Sequence, residues 1–196
     1  MASAAILAGG LATRFGGRDK GALVVDGRTI RDRQVETLSL ICDDVLIVGG
    51  DGSGLRCGVR RVDDIVTRMG PMGGVHAALT AARHDAVFVV ACDMPYVTAL
   101  LIAYLLELSA SADLVLPRTE EGYHPLCAVY GRACIHPIAR RLAQRELKMA
   151  GLISDVRVRV VTPEELDRFG DPQRLLANVN TPAEYAGLEA LQGHKS

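Results

Sequence analysis

The chain has 196 residues, 49% of them hydrophobic, without a long polar tract, which suffices for one domain or at most two closely merged lobes around a substantial core. Its 22 basic and 23 acidic residues are interspersed and give a formal net charge of −1, so nothing suggests the broad basic face that binding to nucleic acid or anionic membranes needs. No segment reaches the roughly 18 apolar residues of a membrane span, and the apolar N-terminal run is too short for a signal peptide, so a cytoplasmic protein with a small-molecule substrate is expected.

The run Ala4-Ala5-Ile6 opens a strand over 4–7. It leads straight into Leu7-Ala8-Gly9-Gly10-Leu11-Ala12-Thr13-Arg14-Phe15-Gly16-Gly17-Arg18-Asp19-Lys20-Gly21. This is the layout of a phosphate loop. Small residues let N–H groups approach oxyanions, glycines aim several N–H groups at one point, and Arg14 and Lys20 add mobile positive charge. Two common templates fail: Lys20 lacks the preceding Gly and following Ser or Thr of a Walker A loop, and no window reads G-x-G-x-x-G.

Helical spacing follows over 29–41 and an apolar strand over 44–48. Gly49-Gly50-Asp51-Gly52-Ser53-Gly54 reads as a surface loop. A strand over 58–62 ends at Asp63-Asp64, and Gly70-Pro71-Met72-Gly73-Gly74 leads into a helix over 73–83. The strand over 86–91 contains Val87-Phe88-Val89-Val90-Ala91, the continuous apolar run expected of a central strand buried on both faces. Cys92-Asp93-Met94-Pro95 follows it, then a helix over 99–108 and a strand over 113–116. Glu120-Glu121-Gly122 looks like a reversal, so part of the second half is expected to be antiparallel or a small excursion. A strand over 126–130, a helix over 133–148 and a strand over 156–161 come next. Asn178-Val179-Asn180-Thr181-Pro182 precedes a helix over 182–191, with Thr181 as N-cap and Pro182 in its first position. The tail 192–196 is expected to be disordered, leaving 1–191 as one domain. The alternation implies an α/β fold with a mostly parallel sheet and helices on both faces. Ligands of such sheets sit beyond the carboxyl ends of the strands, where the glycine loop, Asp63-Asp64 and Asp93 all fall.

Asp93 ends the most hydrophobic strand, where a carboxylate is costly unless positive charge meets it. A magnesium ion is one partner, since Mg²⁺ needs only one or two protein carboxylates beside waters and phosphate oxygens. The alternative is a strand-end aspartate capping the helix that starts near Thr98. Lys20 and Arg14 suit the oxygens of a polyphosphate, against the alternatives of a solvated lysine and a surface salt bridge. Gly70 to Gly74 either present helix N–H groups to a ligand or allow tight packing on the sheet. His124 is read as a binding contact rather than a base, against the alternative of a packed strand-start residue. His76, His84, His136 and His194 lack metal-ligand spacing. Five cysteines without C-x-x-C are read as reduced and mostly buried, with Cys92 a small apolar wall.

The glycine loop with its L-A-G-G and D-K-G ends resembles the signature of small nucleotidyltransferases, specifically the molybdenum cofactor guanylyltransferase family. Gly70-Pro71-Met72-Gly73-Gly74, Cys92-Asp93-Met94-Pro95, His124-Pro125-Leu126 and Asn178-Val179-Asn180-Thr181-Pro182 continue the resemblance along nearly the whole chain. It implies a single three-layer, Rossmann-like nucleotidyltransferase domain that transfers GMP from GTP to the terminal phosphate of molybdopterin and releases pyrophosphate. Arg14, Lys20 and Asp93 would be catalytic, with Asp93 holding the Mg²⁺ cofactor. Leu7, Ala8, Gly9, Gly10, Lys20, Asp64, Gly73 and Asp93 would bind nucleotide, with Asp64 favoured over Asp63. His124, Lys148, Asn178 and Asn180 would bind the second substrate. Molybdenum-insertion or molybdoenzyme-maturation proteins are the implied partners. The rivals are a CTP-dependent molybdopterin cytidylyltransferase, a sugar-phosphate nucleotidyltransferase and a noncatalytic nucleotide-binding module. Asn178, Asn180 and Met94 lean away from the first of these. Where the family often carries Asn near the guanine, this chain has Gly49-Gly50, so backbone groups would read the base.

Overall fold

Every residue of β1 (Ser3–Leu7) is buried, as a strand covered on both faces requires. The computed structural model describes residues 1–8, 20–25, 27–50, 58–63 and 69–179. β1 lies between β4 (Asp44–Val48) and β6 (Ala86–Ala91) and is parallel to both, and β5 (Val59–Val62) extends the sheet beyond β4, again in parallel. On the other side, β9 (Cys127–Gly131) is antiparallel to β6 and to β7 (Leu114–Thr119), and β10 (Val158–Val161) pairs parallel with β7. The order is β5-β4-β1-β6-β9-β7-β10. The short β8 (Gly122–Tyr123) folds back on β7, the reversal expected at Glu120-Glu121-Gly122. β2 (Val24–Val25) and β3 (Arg28–Thr29) form a separate two-stranded ribbon.

Alternate residues of the central strands feed two cores. Ala4, Ile6, Phe88 and Val90 pack with residues of α1 (Ile30–Ser39) and α3 (Ala99–Leu108), while Ala5, Leu7, Val87 and Val89 pack with those of α2 (Gly70–Ala81) and α4 (Ile135–Ala143). The result is the expected mostly parallel sheet between two helical layers. Thr29 caps α1: its Oγ1 accepts a hydrogen bond from the Asp32 N–H at 3.0 Å. Thr29→Ala is expected to cost about 1 kcal/mol in urea unfolding, and an unchanged midpoint would show that the cap contributes nothing.

The expected helix over 133–148 is shorter and broken. A 3₁₀ turn (Arg132–Cys134) precedes α4, which stops at Ala143, and Arg145 takes φ +58°. Arg141 then holds Asp155 at 2.6 Å and Glu146 at 2.9 Å, while Leu147 and Met149 fold back onto the α2/α4 core, so apolar burial overrides helix continuation. β7 starts at Leu114 rather than 113, and the Asp113 carboxylate accepts hydrogen bonds from the Arg157 backbone N–H and guanidinium. α2 begins at Gly70, three residues ahead of the expected start, with Pro71 in its first turn. The expected helix over 182–191 and the tail 192–196 lie outside the described residues. Among the described residues no helix is long and apolar enough to cross a membrane.

At the amino-terminal edge of the sheet, Asp44 is 2% exposed. It accepts hydrogen bonds from Ser3 Oγ (2.7 Å), the Arg83 N–H (3.0 Å) and the Arg60 guanidinium (2.7 and 2.9 Å), and Arg60 also donates to the Ala81 carbonyl. Burial works to raise its carboxyl, and the Arg83, Ser3 and Arg60 bonds outweigh it, holding the group below the usual aspartate range. Cys127 and Cys134 are buried free thiols pushed up to about 12, and Cys42 to about 11, so these three are inert at neutral pH. Cys57 lies outside the described residues.

Candidate active site

From β1 the chain passes to β4 and β5 on one side and then crosses to β6 on the other, so strand order reverses between β1 and β6. A crevice opens beyond the carboxyl ends at such a point. The first residues past the strands stay on the ladder there. Ala8 N–H donates to the Val48 carbonyl at 2.9 Å, Cys92 N–H to Leu7 at 3.2 Å, and Gly49 N–H to Val62 at 2.9 Å. Gly50 has φ +71°, and a Cβ on it would stand 3.3 Å from that of Ala8, so the Gly49-Gly50 bend presses directly on the start of the glycine loop. α2 reaches the same edge. A Cβ on Gly74 would meet Leu7 Cδ2 at 3.3 Å, which assigns this glycine to close packing, while Gly73 beside it is buried and, among the described residues, no side chain caps the helix.

Asp93 occupies a four-residue turn, Ala91 to Met94, closed by a 3.3 Å bond from the Met94 N–H to the Ala91 carbonyl. It is partly exposed. The cap of α3 is Thr98, whose Oγ1 accepts from the Leu101 N–H, so the capping alternative for Asp93 does not hold. A small apolar cluster of Val25, Ile30, Tyr96 and Val179, with Leu23 and Ala177 against it, ties together three distant segments. These are the stretch opened by the 3₁₀ turn Lys20–Ala22, the Asp93 turn and the segment bearing Asn178. Val179 N–H donates to the Asp93 carbonyl at 2.7 Å.

Asn178, the neighbour of Val179, helps line a cavity of about 790 Å³ together with Thr119, Glu120, Glu121, His124, Pro163, Asp171 to Gln173, Leu176 and Ala177. Topology explains the convergence. β7 and β10 point the same way as β6, so Thr119 and Pro163 emerge at the crevice edge, and the antiparallel β9 brings its amino end, with His124, to that edge too. His124 Nε2 lies 2.9 Å from Thr119 Oγ1. Burial pushes its imidazole below the usual histidine range and the Glu121 carboxylate offsets part of this, so the ring is neutral at pH 7 and suits a hydrogen-bond contact.

The fold thus gathers Leu7, Ala8, Gly73 and Asp93 at the crevice, with His124 and Asn178 in the cavity. Lys148 is exposed at the start of the 3₁₀ helix Met149–Ser154 and is not among the residues lining that cavity. Asp63 is exposed and paired with Arg61 at 3.0 Å. Gly9, Gly10, Arg14, Asp64 and Asn180 lie outside the described residues, as does the side chain of Lys20. Among the described residues no group of three or more His, Cys, Asp or Glu is placed to hold a metal. Asp93, partly exposed beyond the end of β6, is a single carboxylate of the kind taken by a cation that completes its shell with water and phosphate oxygens.

Residues 4–163 match the model of the MobA-like NTP transferase domain. The chain belongs to this family. It is 37% identical over 94% of its length to the "Probable molybdenum cofactor guanylyltransferase" of Pelotomaculum thermopropionicum, of which 90% is covered. It is 36% identical to the molybdenum cofactor guanylyltransferase of Desulfosudis oleivorans, over 94% of this chain and 93% of that one. Among solved structures it is similar to molybdopterin-guanine dinucleotide biosynthesis protein A from Archaeoglobus fulgidus, with a TM-score of 0.80, 23% identity and coverage of 97% and 98%. This last likeness is one of fold.

Sequence reasoning about this MobA-like chain passes over Gln34, which lies on the buried face of α1 with Ile30, Val35 and Leu38. Its signal is a polar residue in an apolar stripe. Thr119, Asp171 and Gln173 are also missed, because only tertiary structure brings them to His124 and Asn178.

Proposed function

We propose that this nucleotidyltransferase transfers GMP from GTP to the terminal phosphate of molybdopterin, releasing pyrophosphate and forming the guanine dinucleotide of the molybdenum cofactor. The observation that carries this reading is the 36–37% identity, over nine-tenths of both chains, to relatives named for that activity. It is supported by the strand-order reversal between β1 and β6, where sheets of this kind hold ligands, and by the cavity that His124 and Asn178 help line. The reading takes residues 1–191 as one catalytic domain working in the cytoplasm.

In this scheme an acceptor phosphate oxygen attacks the α-phosphorus of GTP in line. The bond from that phosphorus to the bridging oxygen breaks, and its electron pair leaves with pyrophosphate. The acceptor phosphate is already ionised, so no general base is required, in keeping with the hydrogen-bonding rather than charged state of His124. Mg²⁺, when bound, would neutralise charge on the phosphates, with Asp93 as its protein carboxylate. Lys20, Arg14 and the loop N–H groups, with Asp64, would hold the nucleotide. His124, Asn178 and Asn180 would orient the acceptor, with Lys148 a contact from outside the cavity. Positioning and charge neutralisation are the main demands of such transfers.

Label transfer tests the bond assignment. With α-labelled GTP the label is expected in a molybdopterin dinucleotide, and with γ-labelled GTP in pyrophosphate; α-label in free GMP alone would contradict transfer. His124→Ala is expected to raise KM for molybdopterin about fivefold and leave KM for GTP unchanged. An equal rise for GTP would move His124 out of the acceptor site.

A further inference from the structure

Gln34 is 6% exposed, on an α1 face otherwise lined by Ile30, Val35 and Leu38. A buried amide is costly unless it is hydrogen-bonded, and an apolar side chain would fill this position without that cost. The amide nitrogen donates to the Ala91 carbonyl at 2.7 Å and to the Met94 carbonyl at 3.0 Å. These are the two ends of the turn that carries Asp93. The reversed amide would set Oε1 against two carbonyl oxygens, so only the donor end fits here. Oε1 itself is buried and has no hydrogen-bond partner among the described residues. The turn is thus gripped by the donor half of one side chain.

The third carbonyl of the turn, that of Asp93, is held by the Val179 N–H. The direct bond across the turn is long at 3.3 Å, and the Gln34 amide spans the same two residues with shorter ones. α1 also begins at the stretch opened by Lys20, since the Ile30 N–H donates to the Leu23 carbonyl at 2.9 Å. One helix therefore connects that stretch with the Asp93 turn.

We propose that Gln34 is a positioning residue that fixes where Asp93 presents its carboxylate, an inference that rests on the reading of Asp93 as the metal-binding group. Gln34→Met keeps an unbranched side chain of similar volume and removes the donor. The test measures Mn²⁺ binding in the presence of GTP by electron paramagnetic resonance, together with kcat, KM for GTP and the thermal midpoint. The variant is expected to stay folded, to bind Mn²⁺ about fivefold more weakly and to turn over about tenfold more slowly, with KM for GTP within about twofold. A folded variant with wild-type Mn²⁺ affinity and kcat overturns the proposal. Gln34→Glu keeps the test decisive should the methionine variant misfold. Its activity relative to wild type is expected to rise on acidification, as the protonated carboxyl regains one donor, and a flat ratio overturns the proposal. Wild-type protein that neither binds Mn²⁺ nor releases pyrophosphate overturns the functional reading as well, whereas active wild type beside an indistinguishable Gln34→Met overturns the role of Gln34 alone.

Discussion

Asp93→Asn is expected to lower kcat at least about a hundredfold while leaving the thermal midpoint close to wild type. The turn around Asp93 is held through backbone carbonyls, by Gln34 at Ala91 and Met94 and by Val179 at Asp93 itself, and Thr98 caps the next helix. Asparagine preserves that framework and the size of the side chain but removes the charge that a phosphate-bound cation would need in the proposed scheme. Near-normal turnover of the variant in saturating Mg²⁺ would remove Asp93 from the chemistry.

The second large effect belongs to the opposite edge of the sheet and to stability. Asp44→Ala is expected to cost about 3 kcal/mol in urea unfolding, because it leaves Ser3 Oγ, the Arg83 N–H and Arg60 without their shared acceptor. The pH dependence follows from the lowered carboxyl of folded Asp44. Its contribution is fully present above the ordinary aspartate value near about 4 and is lost as pH falls through the lower folded value. The difference in stability between wild type and Asp44→Ala should therefore shrink on acidification, and a constant difference down to pH 2 would contradict the account. Turnover per folded molecule should be unchanged, because the crevice lies at the other end of the strands.

Burial explains what the sequence makes legible. Strands over 44–48 and 86–91 and the helix over 99–108 match their observed bounds because both sheet faces are covered and the apolar runs are unbroken. The reversal at Glu120-Glu121-Gly122 is legible because its turn residues interrupt two such runs. The break after Ala143 is not, since it depends on Arg141 reaching Asp155 and on Leu147 and Met149 finding the α2/α4 core. Asp44 reads from sequence only as a strand start, because its partners come from β1, β5 and Arg83 just past the end of α2. Ala8 and Asp93 are legible from their places just after strands, and Leu7 from its place at the end of β1. The meeting of His124 with Asn178 is not legible from spacing, as it follows from the direction of β9 and from the Val179 bond to Asp93.

The most direct test of guanylyl transfer is pyrophosphate release by the purified protein with Mg²⁺ and freshly prepared molybdopterin, comparing GTP with CTP, ATP and UTP. Release with GTP well above the other three is the predicted result. Preference for CTP would contradict the guanine assignment while keeping the transfer, and no release with any nucleotide, given demonstrably active acceptor, would contradict the enzymatic account itself.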